Sequence, residues 1–154
     1  MMKKISGVCM FLALFISGCA DENDRQNAID VSGTWRSAVT FTSCSPADVC
    51  SAAGFDQGTS QNAVMNLSQN DPDETQVEGT YTYEGAGIAA NIEGTIGGMQ
   101  LTVNGAASNP LLGSITVRLT GTVSGNSLNA TVTHQINLTD GRSADVSGTG
   151  TFTR

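Results

Sequence analysis

From Val31 to the end of the chain, apolar and polar residues alternate with a period of two, interrupted only by turn-forming residues. Val31, Gly33, Trp35, Val39 and Phe41 share one face of a first strand, and Ser32, Thr34, Arg36 and Thr40 share the other. Ala63, Met65 and Leu67 mark a second strand. In VEGTYTYE, Val77, Gly79, Tyr81 and Tyr83 oppose Glu78, Thr80, Thr82 and Glu84. Ile88, Ala90, Ile92, Gly94 and Ile96 form a fourth strand, and Met99, Leu101 and Val103 a fifth. Ile115, Val117, Leu119 and Val123 form a sixth. Leu128, Ala130, Val132, Ile136 and Leu138 form a seventh, and Val146, Gly148, Gly150 and Phe152 an eighth. Strict alternation over such runs is the signature of half-buried strands. One face is apolar and the other is Thr, Asn, Ser and Glu, the pattern of antiparallel sheet solvated on one side. The expected fold is all-β, an eight-stranded antiparallel up-and-down barrel of lipocalin-like shape whose closure removes the exposed edges. No amphipathic helix is expected within it.

Two segments repeat: GTIGGMQL from Gly94 and GTVSGNSL from Gly121, with GTGTF beginning at Gly148. The shared spacing reads as hairpin repetition within one sheet, since each unit supplies only two strands. Strands that alternate up and down put the tight turns at Gly97-Gly98 and Ser124-Gly125-Asn126 at one end. The opposite end then receives the long Ser43–Gln61 connection, NGAASNPLLG around Pro110, and TDGRSA around Gly141. Long loops often carry binding residues, so that rim is the candidate mouth. Inward Gly and Ala residues are expected to leave room inside the barrel.

The first thirty residues follow a different logic. Lys3 and Lys4 precede an apolar run from Ile5 to Ile16, too short to span a bilayer of about 30 Å and suited to a signal peptide. Ile16, Ser17, Gly18 and Cys19 at its end resemble a bacterial lipobox. That resemblance implies cleavage before Cys19 and acylation (palmitate-type chains) of its thiol and new amine, with several chains giving firm membrane anchorage. Ala20 rather than aspartate follows the cysteine, which favours the outer membrane over inner-membrane retention. Three parts result: a leader at 1–18, a polar lipidated tether at 19–30, and a barrel domain at 31–154.

Cleavage removes both lysines and leaves five arginines against fourteen acidic residues, so the formal charge moves from −7 to −9. Such a surface argues against nucleic acid and against anionic lipid as partners. Eighteen glycines and few aromatics suit short strands joined by turns. Of four cysteines, Cys9 leaves with the leader and Cys19 carries lipid. Cys44 and Cys50 in CSPADVC remain, to pair as a disulfide in an oxidising periplasm or to supply half of a zinc site. One histidine in the mature chain favours the disulfide. The sequons at Asn66, Asn129 and Asn137 read as strand residues.

Gly33-Thr34-Trp35 on the first strand resembles the G-x-W motif of the calycin group, the lipocalins, fatty-acid-binding proteins and avidins. In lipocalins an arginine at the end of the barrel packs across that tryptophan. The resemblance implies that Gly33, Trp35 and Arg154 close the barrel, with cation–π contact between the last two. A T-D-Y-like second motif and a helix before the last strand, common in lipocalins, are absent from the sequence.

Catalytic signatures are missing: no G-x-S-x-G, H-E-x-x-H, Walker loop or Cys-x-x-Cys pair occurs. His134 is inward by parity, either a bonded core histidine or a polar contact for a ligand. Tyr81 and Tyr83 also point inward and either fill the core or line a pocket with Trp35 and His134. Asp71, Asp73 and Glu74 in NDPDET lack EF-hand spacing and read as a solvated turn, so no metal and no cofactor is expected. The functional expectation is a non-enzymatic envelope lipoprotein, membrane-bound through its lipid and holding a small apolar molecule in the barrel. The alternative is a solid barrel whose rim loops engage or inhibit an envelope protein. An apolar cavity of a few hundred Å3 opening at the Cys44–Cys50 rim separates the first from the second.

Overall fold

A computed structural model describes residues 29–71, 74–110 and 112–154. The leader, Cys19 and most of the tether lie outside the described residues. Eight strands form: β1 (Gly33–Ser45), β2 (Ser60–Ser68), β3 (Gln76–Tyr83), β4 (Ile88–Gly97), β5 (Gln100–Asn109), β6 (Gly113–Ser124), β7 (Ser127–Asn137) and β8 (Ser143–Thr153). Each pairs antiparallel with its sequence neighbours, and β8 returns to β1, so the sheet is a closed up-and-down barrel. All eight strands lie where the alternation predicts them.

Burial follows parity. Trp35, Val39, Met65, Tyr81, Leu119, Val132 and Phe152 are among the inward residues shielded from solvent. Arg36, Glu78, Glu84, Glu93 and Arg118 stand on the outer face. A barrel that spans lipid needs the reverse arrangement, with apolar residues outside. Hydrophobic burial therefore holds the sheet closed around its own side chains. Among the described residues Met99 is the exposed large hydrophobic, at the tip of the β4–β5 turn.

The β4–β5 and β6–β7 hairpins explain the repeat. Gly98 (φ 57°) and Gly125 (φ 59°) each open a two-residue turn, between the Gly97–Gln100 and Ser124–Ser127 pairs. Positive φ at the first turn position alone is type II′ geometry, whose twist matches that of the strands. Four residues before each turn glycine stand Gly94 and Gly121. A Cβ on Gly94 would run into the Thr102 carbonyl oxygen of β5, and Gly79 faces the Asn66 carbonyl in the same way. Gly79, Gly94 and Gly121 thus leave no room inside, contrary to expectation, because the backbone of the adjacent strand occupies it, and at Gly150 the Ser37 and Val39 side chains do. Gly94→Ala is expected to lose about 2–3 kcal/mol of stability through overpacking. Gly97→Ala, with nothing within 4 Å of the added methyl, should stay within about 0.5 kcal/mol of the parent. Urea midpoints of the two variants provide the comparison.

Three further expectations need correction. A helix does occur in the β1–β2 connection, α1 (Ala47–Ala53). At seven residues it is too short to show a periodic stripe, and it buries only Val49, Cys50 and Ala53. The expected irregular loop around Pro110 is mostly strand, because β5 runs to Asn109 and β6 starts at Gly113. Gly33 is not inward: it is exposed at φ 125°, where the entering chain turns into β1.

Candidate functional site

Two ends of the barrel are built differently. At the closed end, where the chain enters, Trp35 is wholly buried and its indole N–H donates to the Val31 carbonyl at 2.8 Å. The Arg154 guanidinium carbon lies 5.0 Å from the Trp35 ring centroid. Its Nη1 donates to the carbonyls of Asp30 (3.0 Å) and Ser32 (2.9 Å), strapping the entering segment across the barrel floor. Trp35 is therefore part of a closure.

The opposite rim carries the long connections. Cys44, at the end of β1, is disulfide-bonded to Cys50 in α1. Arg142 in the β7–β8 turn donates to Asp48 of α1 at 2.8 Å and pairs with Asp140 at 2.9 Å. These bonds raise the Arg142 pKa, Asp140 being the main cause, and the Asp140 carboxyl is held below its ordinary value first by the Arg142 backbone N–H and then by the Arg142 side chain. Both pairs are exposed and individually weak, but with the disulfide they pin α1 to the turn beside it. Cys44→Ser with Cys50→Ser should cost roughly 2 kcal/mol on the chain-entropy model for so short a loop. Far-UV circular dichroism should show the barrel retained.

Below that rim lies an aromatic cluster. Phe55, from the connection after α1, is fully buried and meets Phe41, Tyr83 and His134 with ring centroids 4.9, 5.7 and 5.5 Å away. Tyr81 stacks edge-on against Tyr83 at 5.1 Å. Tyr83 Oη and His134 Nε2 are hydrogen-bonded at 2.9 Å, with the donor set by the ring tautomer. Burial pushes the His134 pKa down to about 4, and the Thr116 carbonyl works against that shift. Burial likewise raises both tyrosines above their ordinary value, with Tyr83 adding to the effect on Tyr81. Two buried atoms, the Tyr81 hydroxyl and His134 Nδ1, reach no partner at hydrogen-bonding geometry. No nucleophile with an adjacent orienting carboxylate stands beside His134, and the described residues bring together no group of three metal-ligating side chains.

Tyr81, Tyr83 and His134 are thus brought together, while Trp35 stands apart at the closed end. Phe55 was the residue that parity could not supply, because it belongs to no strand. Its signal was local: an apolar residue directly after Gly54, which caps α1 in the left-handed conformation (φ 78°).

Outside the barrel, Thr95, Thr102, Thr120, Thr131, Thr149 and Thr40 stand side by side across six neighbouring strands. A shallow groove of about 510 Å3 runs beside this row, walled by Gln100, Thr122, Asn129 and Thr151 and free of charge. In comparisons with known proteins, no family model, no curated protein and no solved structure matches the chain.

Proposed function

We propose that this protein is a non-enzymatic bacterial envelope lipoprotein whose solid barrel binds a partner protein through the disulfide-bearing rim. The observation that carries this reading is the filled interior. Phe55 seals the mouth over Tyr83 and His134, and the inward side chains beneath it are buried. The pinned rim supports it, since a preorganised surface loses little conformational entropy on binding. So does the layout, because the chain enters at the closed end and presents α1 and the β7–β8 turn at the other. The acidic surface disfavours nucleic acid.

Lipidation at Cys19 and an outer-membrane address rest on Ile16-Ser17-Gly18-Cys19 and Ala20. Cys19→Ser should move the protein from the membrane to the soluble fraction, as followed by immunoblot and by intact mass. The rim reading is tested with photocrosslinkers at Gln57 and Ser143 on the rim and at Met99 on the closed end. A discrete partner captured from both rim positions and not from Met99 supports it. Equal capture at both ends, or none, rejects it.

A second reading, a small molecule within the barrel, is favoured by one observation. The Tyr81 hydroxyl and His134 Nδ1 are buried and fall short of hydrogen-bond geometry with the groups that act on them, Tyr83 and the Thr116 carbonyl, and a polar guest would pair with them more fully.

A further inference from the structure

Among the described residues Met99 is the large hydrophobic side chain that stands in solvent, 56% exposed at the tip of the β4–β5 turn. The turn itself does not call for it. In the sister hairpin the same position, directly after the positive-φ glycine, is Asn126, and polar residues are the usual choice there. The tip is also built to face a less polar medium. The Met99 carbonyl accepts from the Val123 N–H at 2.8 Å, as the Asn126 carbonyl accepts from the Arg154 N–H at 3.2 Å. Pressing either tip into an apolar layer therefore leaves that carbonyl paired. The two tips adjoin, since β5 and β6 are neighbours, and both are uncharged: Gly97, Gly98 and Gln100 flank Met99, and Ser124 and Gly125 precede Asn126. The described acidic residues of this end, Asp30, Asp71 and Glu74, belong to the entering chain and the β2–β3 connection.

Position supplies the partner. The chain enters the barrel at this same end, and residues 20–30, between Cys19 and Val31, can reach at most about 40 Å. A surface that holds Cys19 thus meets the tips at high local concentration. We infer that the two neutral hairpin tips of the closed end rest on the lipid surface that carries the anchor, with Met99 inserted among the headgroups of zwitterionic phospholipid. This rests on the reading of Cys19 as lipidated. Burying one methionine favours the docked state by roughly tenfold to a hundredfold, too little to hold a free protein on a bilayer but enough to orient one already tethered there. An unbranched thioether also adapts to disordered surroundings. Docked this way, the domain turns its disulfide-bearing rim away from the lipid.

The full-length lipidated chain, reconstituted into phosphatidylcholine vesicles that contain nitroxide-labelled lipid, provides the test. An environment-sensitive fluorophore is attached through Ser124→Cys on the neighbouring tip or through Gln57→Cys on the rim, so that Met99 itself stays in place. The Ser124 label should be quenched at least about threefold more strongly than the Gln57 label, and Met99→Asn should remove most of that difference. Equal quenching at the two positions overturns the docked orientation. Unchanged quenching of the Ser124 label in Met99→Asn overturns the role of Met99. Co-sedimentation with the vesicles separates these failures from that of the premise: a chain left in the supernatant rejects lipidation at Cys19 and the docked state with it.

Discussion

Trp35→Ala is expected to cost about 3–5 kcal/mol of folding stability, the range for truncating a large buried aromatic. A domain of this size has about 5–15 kcal/mol in total, so the variant should sit near the edge of folding. Three losses add at this position. The wholly buried ring leaves a cavity at the barrel floor, its N–H no longer satisfies the Val31 carbonyl, and Arg154 loses the face it covers. Trp35→Phe separates these effects: it keeps most of the apolar bulk and gives up the indole N–H, for an expected loss of about 1–2 kcal/mol. Arg154→Ala removes the cation–π contact and three hydrogen bonds, to the Asp30 and Ser32 carbonyls and to Asn126 Oδ1, at a solvent-exposed site, for about 1 kcal/mol. It should also release residues 29–32, which hydrogen exchange would report as faster amides there with the strands unchanged. Urea unfolding followed by far-UV circular dichroism gives all three values. A Trp35→Ala domain within 1 kcal/mol of the parent would contradict the closure described for this end.

The barrel was legible because the strands keep period two, β1 doing so as far as the irregularity between Phe41 and Ser43, and the inward side of Tyr81, Tyr83 and His134 followed from parity alone. Their meeting did not. Tyr83 is on β3 and His134 on β7, and only closure of the sheet brings two such distant strands face to face. The β5 extension was hidden because Gly105 and Ala107 point in while Ala106 and Ser108 point out, and small residues give little hydrophobic contrast. The inward glycines show the opposite limit: composition marks them as small, but only the register shows that a neighbouring carbonyl fills the space. Phe55 and α1 escaped because their burial depends on tertiary contacts of a connection, which no local periodicity encodes. The Trp35–Arg154 pairing was available from the motif, since a last strand returning to the first fixes where the chain ends.

Acid should weaken the fold in a window set by His134. Its folded-state pKa lies near 4 because burial disfavours the imidazolium, while an unfolded histidine titrates near 6.5. Between those values the unfolded chain binds the proton and the folded one does not, so stability falls as pH drops from about 6.5 to about 4. Each unit is worth about 1.4 kcal/mol, which makes the full loss roughly 3 kcal/mol. Above pH 7 this contribution is fully present and no longer changes. Asp30 and Asp140 act in a separate window: backbone hydrogen bonds hold both below the ordinary carboxylate value, so their contribution fades only below about pH 4. The two windows are separated by replacing the buried pair as a unit. Tyr83→Phe with His134→Phe removes both the titrating ring and the hydroxyl bonded to it, leaving neither orphaned. Urea unfolding at several pH values should then show a flat stability between pH 4 and 6.5 in the double variant and a slope in the parent. A parent profile as flat as that of the variant would mean that His134 is protonated within the fold, and the packed mouth above it would have to be open to water.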